Sequence, residues 1–317
     1  MNNKKCIHCD SFNVIKKGFN KDKIQRWKCR NCKKIFQANR KALPKMEELF
    51  YSFSFHKQTL KELSTAYHIR SGEVQRSIDE YILPKVIHAP REIYLQVDGT
   101  YFGSKENKFC AIVFRDYLKK DNVWWTFDKT ETELSYRKGK VYLESLGYII
   151  KGIVSDGLPL IRRVFKGIQF QMCLVHMERI IIRGTTRKPK LEASQVLYAI
   201  ARSLHITNSK VFNDRMNRYT LRYFHFLNEK TTSEVTGEWW YTHERLREAF
   251  ISLQNLSEYL FTYEKDSNLS KNTNSIEGTF THVKNKLAAH NGLSVKRKEK
   301  LRQVFLHYGS GSEDYLK

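Results

Sequence analysis

Two sets of residues in this chain have the types and the spacing that chemistry needs. The first is a pair of cysteine pairs, Cys6-x2-Cys9 and Cys29-x2-Cys32, with nineteen residues between them. Each pair can clamp one edge of a tetrahedron, and four thiolates close the shell of a Zn²⁺ ion, which makes such a zinc structural rather than catalytic. A module this small needs the metal to fold. The competing reading is four unconnected thiols, and His8, lying between ligands, is a poor substitute for any of them. The second set is three carboxylates far apart in sequence, Asp98, Asp156 and Glu277. Hard oxygen ligands of this kind suit a pair of Mg²⁺ ions. Such a pair activates a water or a 3′-hydroxyl and stabilises the leaving oxygen in phosphodiester displacement.

The carboxylates can do this only if secondary structure brings them together. From Arg91 the apolar period is two, with Ile93, Leu95 and Val97 on one face and Tyr94, Gln96 and Asp98 on the other, so a strand is predicted that ends at Asp98. Strand-like runs follow at 108–117 and 122–128, separated by breaks short enough for an antiparallel meander. A helix near 133–146 leads to a strand at 148–155 that ends at Asp156-Gly157; a right-handed crossover would set it parallel and adjacent to the first strand. A helix over 159–165 and a strand over 169–176 complete a mixed sheet flanked by helices, an α/β class. Residues 177–266, aromatic and basic, read as an all-helical insertion. Beyond a polar break, Ile276, Phe280, Val283 and Leu287 stripe one more helix, followed by a basic tail around 296–302. Each acid also has a plainer reading. Asp-Gly is a common turn dipeptide, and Glu277, three residues after Asn274, could simply cap its helix. Asp116 is the best rival ligand, whereas Asp121 and Asp128 read as turn residues.

Ahead of the sheet, residues 1–43 form a basic module, and residues 44–90 form a helical region and linker. Residues 1–45 carry fourteen Lys or Arg against two acids, Asp10 and Asp22. Trp27, Lys28, Arg30, Lys33, Lys34 and Phe36 surround the second cysteine pair and offer a basic, aromatic surface suited to a DNA backbone, although a protein-binding ribbon would look similar. Pro44 suits a first helical turn, and Thr59 with Glu62 makes a capping box. After a break at 68–72, Ser71 would cap a second helix on which Val74, Ile78 and Ile82 repeat, before Pro84 and Pro90 delimit a linker. The layout is that of a helix-turn-helix, with Gln75 and Arg76 among the residues that would reach base edges. A helical hairpin packed for its own sake is the alternative.

The whole-chain balance supports a nucleic-acid partner. In 317 residues, 56 Lys and Arg face 33 Asp and Glu, a formal charge of +23. A polyanion is the leading explanation, nucleic acid before a membrane surface. No secretory signal and no apolar run near eighteen residues is visible, so a soluble, intracellular protein is expected. The isolated Cys110 and Cys173 fit a reducing compartment better than a disulfide framework.

Val97-Asp98-Gly99-Thr100, Ser155-Asp156-Gly157, Cys173-Leu174-Val175-His176 with Arg179, and Asn274-Ser275-Ile276-Glu277-Gly278 together resemble the Mutator-like DDE transposases, in particular the bacterial insertion-sequence branch with an N-terminal zinc ribbon. The resemblance spans nearly the whole chain. It implies a ribonuclease-H-like core divided into 91–176 and 267–317 by the insertion, with Asp98, Asp156 and Glu277 as the catalytic triad holding Mg²⁺ or Mn²⁺. It also implies that His176 contacts the scissile phosphate or orients a carboxylate, that Arg179 binds phosphate, and that Trp239 and Trp240 stack on a flipped or terminal base. A buried strand position for Cys173 and His176, and core packing of one of the tryptophans, are the competing expectations. The partners implied are terminal inverted repeats and target DNA, bound by a homodimer or higher assembly in the bacterial cytoplasm, at the nucleoid. The alternatives are a non-enzymatic DNA-binding regulator derived from a transposase, and a plain nuclease without joining activity.

Overall fold

The computed structural model describes residues 4–21, 24–37, 46–56, 58–83, 85–103, 108–288 and 292–308. Pro44 and Pro84, expected at a helix start and a linker edge, lie outside these residues. The chain divides into two compact units, Met1–Leu83 and Pro84–Lys317.

In the first unit, β1 (Val14–Phe19), β2 (Gln25–Cys29) and β3 (Ile35–Gln37) form an antiparallel ribbon. Trp27 and Phe36, expected on its surface, are instead buried against Cys6 and Cys29. A module this short can enclose few side chains, so these two rings and the cysteines make its core while Ile7, Phe12 and Phe19 stay exposed. Three helices follow, α1 (Met46–Ser54), α2 (Leu60–Tyr67) and α3 (Ser71–Glu80). The Thr59–Glu62 capping box is formed in both directions. His68, in the left-handed region at φ 53°, turns the chain out of α2. Leu49, Phe50, Phe53, Leu63, Val74 and Ile78 are buried. Two expectations fail here. Arg70, with no side-chain hydrogen bond, occupies the cap position given to Ser71. Ile82 is 86% exposed because α3 has already ended at Glu80.

The second unit is built on a five-stranded mixed sheet of order β6-β5-β4-β7-β8. Its strands are β4 (Glu92–Phe102), β5 (Phe109–Asp116), β6 (Asn122–Asp128), β7 (Ile149–Ser155) and β8 (Gln169–Met172). The first three form an antiparallel meander, and β7 and β8 join in parallel. Three meander strands with the first of them central, then parallel strands added on its free side, is the ribonuclease-H-like topology. α4 (Glu133–Ser145) and α5 (Pro159–Val164) supply the crossovers that parallel pairing requires.

The two sheet faces differ in chemistry. Ile93, Leu95, Val97, Ile112 and Phe114 join Tyr136 and Leu143 of α4 and Ile161 of α5 in one large apolar core. Gln96 and Arg115, cross-strand partners that are both buried, instead reach the C-terminal segment: the Gln96 amide donates to the Asn272 carbonyl, and Arg115 Nε donates to Ser275 Oγ.

Three further expectations are corrected in this unit. β8 stops at Met172, and α6 (Leu174–Thr185) starts at once, so Cys173 caps a helix and His176 lies in its first turn rather than on a strand. The run Leu174, Met177, Ile181 is spaced for a helix and buries together. The insertion continues through α7 (Glu192–Arg202), α8 (Ser209–Leu227) and α9 (Glu244–Leu256), but a small antiparallel hairpin, β9 (Lys230–Thr232) with β10 (Trp239–Tyr241), interrupts its helices. After α10 (Asn274–Ala288), the segment read as a basic tail is a helix, α11 (Val295–Tyr308). It buries Leu301, Val304, Phe305 and Leu306, and Asn122 donates to its Leu306 carbonyl. Its many cations hid the apolar stripe beneath them. Among the described residues no helix is long and apolar enough to cross a membrane.

Candidate active site

Asp98 sits in the middle of β4, which runs on four residues further than expected. Parallel pairing with β7 ends at Gln96 opposite Val154. Two residues on from that pair come Asp98, within β4, and Asp156, immediately past the end of β7. At Gly157 the chain leaves the sheet with φ +84°, and a Cβ there would stand 2.5 Å from Met172 Sδ, so both backbone and space call for glycine. Asp156 Oδ1 accepts hydrogen bonds from the Leu158 amide at 3.1 Å and the Ser155 hydroxyl at 3.4 Å. The remaining groups come from helix starts: His176 from the first turn of α6 and Glu277 from the first turn of α10.

The ligand atoms of Asp98, His176 and Glu277 all lie within 4.8 Å of one another. Asp156 is not part of that cluster, although its charge acts on Asp98. Glu277 does not cap its helix. Arg179 grips it with both guanidinium nitrogens, at 2.7 and 2.8 Å, while His176 Nε2 lies 3.4 Å from Oε1. Asp98 is 6% exposed, and its one hydrogen bond among the described residues comes to Oδ1 from the Gly99 amide. Burial, with Asp156 and Glu277 adding to it and His176 opposing, pushes the Asp98 carboxyl up to about 7. Burial would lower His176, but the Cys173 sulfur beside it and then the charges of Asp98 and Glu277 outweigh that and raise it to about 9. Asp116 is withdrawn from the site: it pairs with Arg91 and accepts the Leu118 and Lys119 amides in a turn.

This donor set fits a divalent cation. A buried carboxylate with one oxygen free of protein donors, a second carboxylate and an imidazole nitrogen face one point, and the electrostatic strain on Asp98 is of the kind a cation relieves.

Glu131 is the residue that sequence reasoning missed. It precedes the Thr132 cap of α4 in a polar stretch that reads as loop, and no periodicity or motif marks it. The Cys110 thiol donates to its Oε1 and the Tyr136 hydroxyl to its Oε2. Burial, then the charge of Asp156, raise its carboxyl above the usual range.

In the first unit, the four cysteine sulfurs form a second cluster within 4.8 Å among the described residues, with Cys6 and Cys32 3.6 Å apart and Cys9 and Cys29 3.5 Å apart. The Cys32 amide, followed by other donors, holds the Cys29 thiol below its usual range. The cluster matches a four-cysteine zinc ribbon. Arg30, Lys33 and Lys34 are exposed and Lys28 is half-buried; Gln75 and Arg76 are exposed on α3. Trp239 and Trp240 do not pack into a core: they are 54% and 47% exposed on the hairpin, with Lys230 Nζ 3.7 Å from the centre of the Trp239 ring.

No family model and no curated protein sequence matches the chain. Among solved structures it is similar to the HTLV-2 integrase catalytic core domain in complex with magnesium, at 16% identity over 48% of this chain and 95% of that one, TM-score 0.22. It is also similar to a simian T-cell lymphotropic virus intasome in complex with the PP2A regulatory subunit B56 gamma, at 14% identity over 63% and 74%, TM-score 0.21. A third is the Drosophila P element transposase strand transfer complex, at 11% identity over 91% and 95%, TM-score 0.39. The similar structures are thus integrases and a transposase.

Proposed function

We propose that the chain is a DDE transposase of the Mutator-like, bacterial insertion-sequence type, cleaving and joining DNA at a centre formed by Asp98, Asp156 and Glu277. The observation that carries this reading is the buried Asp98 carboxylate, brought within 4.8 Å of Glu277 and His176 by a strand and two helix starts, with Asp156 just past the end of the neighbouring strand β7. These carboxylates would hold Mg²⁺ or Mn²⁺, which when bound would supply the charge that activates an attacking oxygen and stabilises a leaving one. The protein side chains divide the remaining work. Arg179 fixes the Glu277 carboxylate with two parallel hydrogen bonds, a geometry that Lys cannot reproduce. His176, protonated at neutral pH beside two acids, offers a donor to a scissile phosphate at the same point.

DNA is held elsewhere. The zinc ribbon contributes Lys28, Arg30, Lys33 and Lys34 to backbone phosphates, and α2–α3 act as a helix-turn-helix with Gln75 and Arg76 facing bases. Trp239 and Trp240 stack on an unpaired or terminal base. The partners are the terminal inverted repeats of the protein's own element and target DNA, engaged by a dimer or higher assembly in the bacterial cytoplasm. Asp98→Asn, nearly isosteric, should still bind end DNA but lose nicking and strand transfer by at least about a thousandfold, roughly 4 kcal/mol of transition-state stabilisation. Strand transfer retained on pre-cleaved ends would remove the assignment.

A further inference from the structure

Gly99 follows Asp98 inside β4, where its backbone is extended and no turn asks for a glycine. The reason lies on the face of the strand opposite Asp98. A Cβ at Gly99 would stand 2.5 Å from Glu131 Oε1 and 3.3 Å from Cys110 Sγ, so any side chain there would expel the Glu131 carboxylate. That carboxylate is held in place by two neutral donors, the Cys110 thiol at 3.5 Å and the Tyr136 hydroxyl at 3.3 Å. Its interactions among the described residues include no cation, and a half-buried acid kept without one is a standing cost.

The sheet is open at this point. Pairing with β7 stops at Gln96, whereas β4 continues to Phe102, so beyond Asp98 no parallel strand separates the two faces. Groups from either face can meet at that edge. Asp156 stands there, and its charge acts on both Glu131 and Asp98. The Tyr136 hydroxyl, bonded to Glu131, also lies within electrostatic reach of Asp156 and Asp98. A separate observation points to a ligand: Asp98, 6% exposed, has an oxygen, Oδ2, with no protein donor among the described residues. Resting on the function proposed above, we infer that Glu131 is a fourth carboxylate ligand of the divalent-cation centre, serving the Asp156 side of Asp98 while Glu277 serves the other. Gly99, having no Cβ, leaves the space that Glu131 Oε1 occupies. Glu277 arrives already neutralised by Arg179, whereas Glu131 brings an uncompensated charge.

The test is Mn²⁺ binding by full-length, zinc-loaded protein, followed by calorimetry and by the electron paramagnetic resonance signal of free Mn²⁺. Wild type should take up a pair of ions and Asp98→Asn neither. Glu131→Gln should keep one and weaken the other by about 10- to 100-fold. Gly99→Ala, which displaces the carboxylate without altering its charge, should show the same loss, and Glu131→Asp an intermediate one. If Glu131→Gln unfolds, Gly99→Ala and Glu131→Asp carry the test. Two wild-type affinities in Glu131→Gln, or in both of the other variants, would overturn the role of Glu131 while leaving the Asp98 centre standing. A wild type that binds no more Mn²⁺ than Asp98→Asn would sink the transposase reading itself, and this inference with it.

Discussion

The described residues hold two clusters of metal-ligating side chains, and they are built in opposite ways. The ribbon gathers four soft thiols from two short loops of one small module, within 26 residues of sequence from Cys6 to Cys32. The carboxylate centre gathers hard ligands from β4, α6 and α10, with Asp98 and Glu277 at opposite ends of the second unit's chain. The ribbon has a core of two aromatic rings and the cysteines themselves, so a metal bound there would be the main thing that orders it. The second centre hangs on a large apolar core made of side chains alone. A metal that makes a fold differs from a metal that a fold positions, and this contrast can be tested directly.

The largest effect is expected at the ribbon. Cys29→Ser, or zinc removal by a strong chelator, should unfold the ribbon and expose it to protease. The lost binding free energy is on the order of 10 kcal/mol, more than such a module can replace. The 84–317 unit should keep its cooperative unfolding transition. A ribbon still protease-resistant without zinc would break the comparison from one side.

At the carboxylate centre, metal removal should do the reverse and leave the fold intact but pH-sensitive. The folded Asp98 carboxyl, raised to about 7 from the unfolded 3.8, carries a penalty that is absent below pH 4 and grows as pH rises to 7. The folded His176, raised to about 9, adds stability that is full below pH 6.5 and lost as pH rises through 9. Both slopes have the same sign, so the melting temperature of the metal-free second unit should fall from pH 4 to 9. Asp98→Asn should flatten the acid half of that profile, and Mg²⁺ should flatten it in wild type. A profile rising with pH would contradict the site geometry.

The smallest effect is expected at the exposed hairpin, which belongs to neither cluster. Trp239→Ala should weaken binding of single-stranded or flayed ends by about 1–3 kcal/mol, with little change in salt dependence, because stacking rather than charge is lost. Fluorescence anisotropy at two salt concentrations would separate this from the shallower salt slope expected of Lys33→Ala.

How legible each part was in sequence follows from the range of the interactions. The cysteine spacing, the Thr59–Glu62 capping box and the alternation of Ile93, Leu95 and Val97 are local signals, and the structure forms each as read. The two elements misjudged near the site were decided by packing. Cys173 and His176 looked like the end of a strand, but the stripe of Leu174, Met177 and Ile181 is satisfied by a helix against the core. The basic run at 296–302 looked like a tail because its cations outnumber the apolar side chains that face the sheet. Glu131 carried no signal at all, since what singles it out is a missing Cβ on another strand, 32 residues earlier in the chain.

Composition, spacing and period were enough to assign the ribbon ligands, the strand that bears Asp98 and a strongly basic chain suited to a polyanion, because each depends on neighbours within a few turns or strands. Which acids share a point in space, whether Glu277 caps its helix or answers Arg179, and why glycine follows Asp98 were settled only by the register of β4 against β7 and the docking of α6 and α10. Those are long-range packing decisions, and a carboxylate in sequence looks the same whether it ends up beside a cation site or in water.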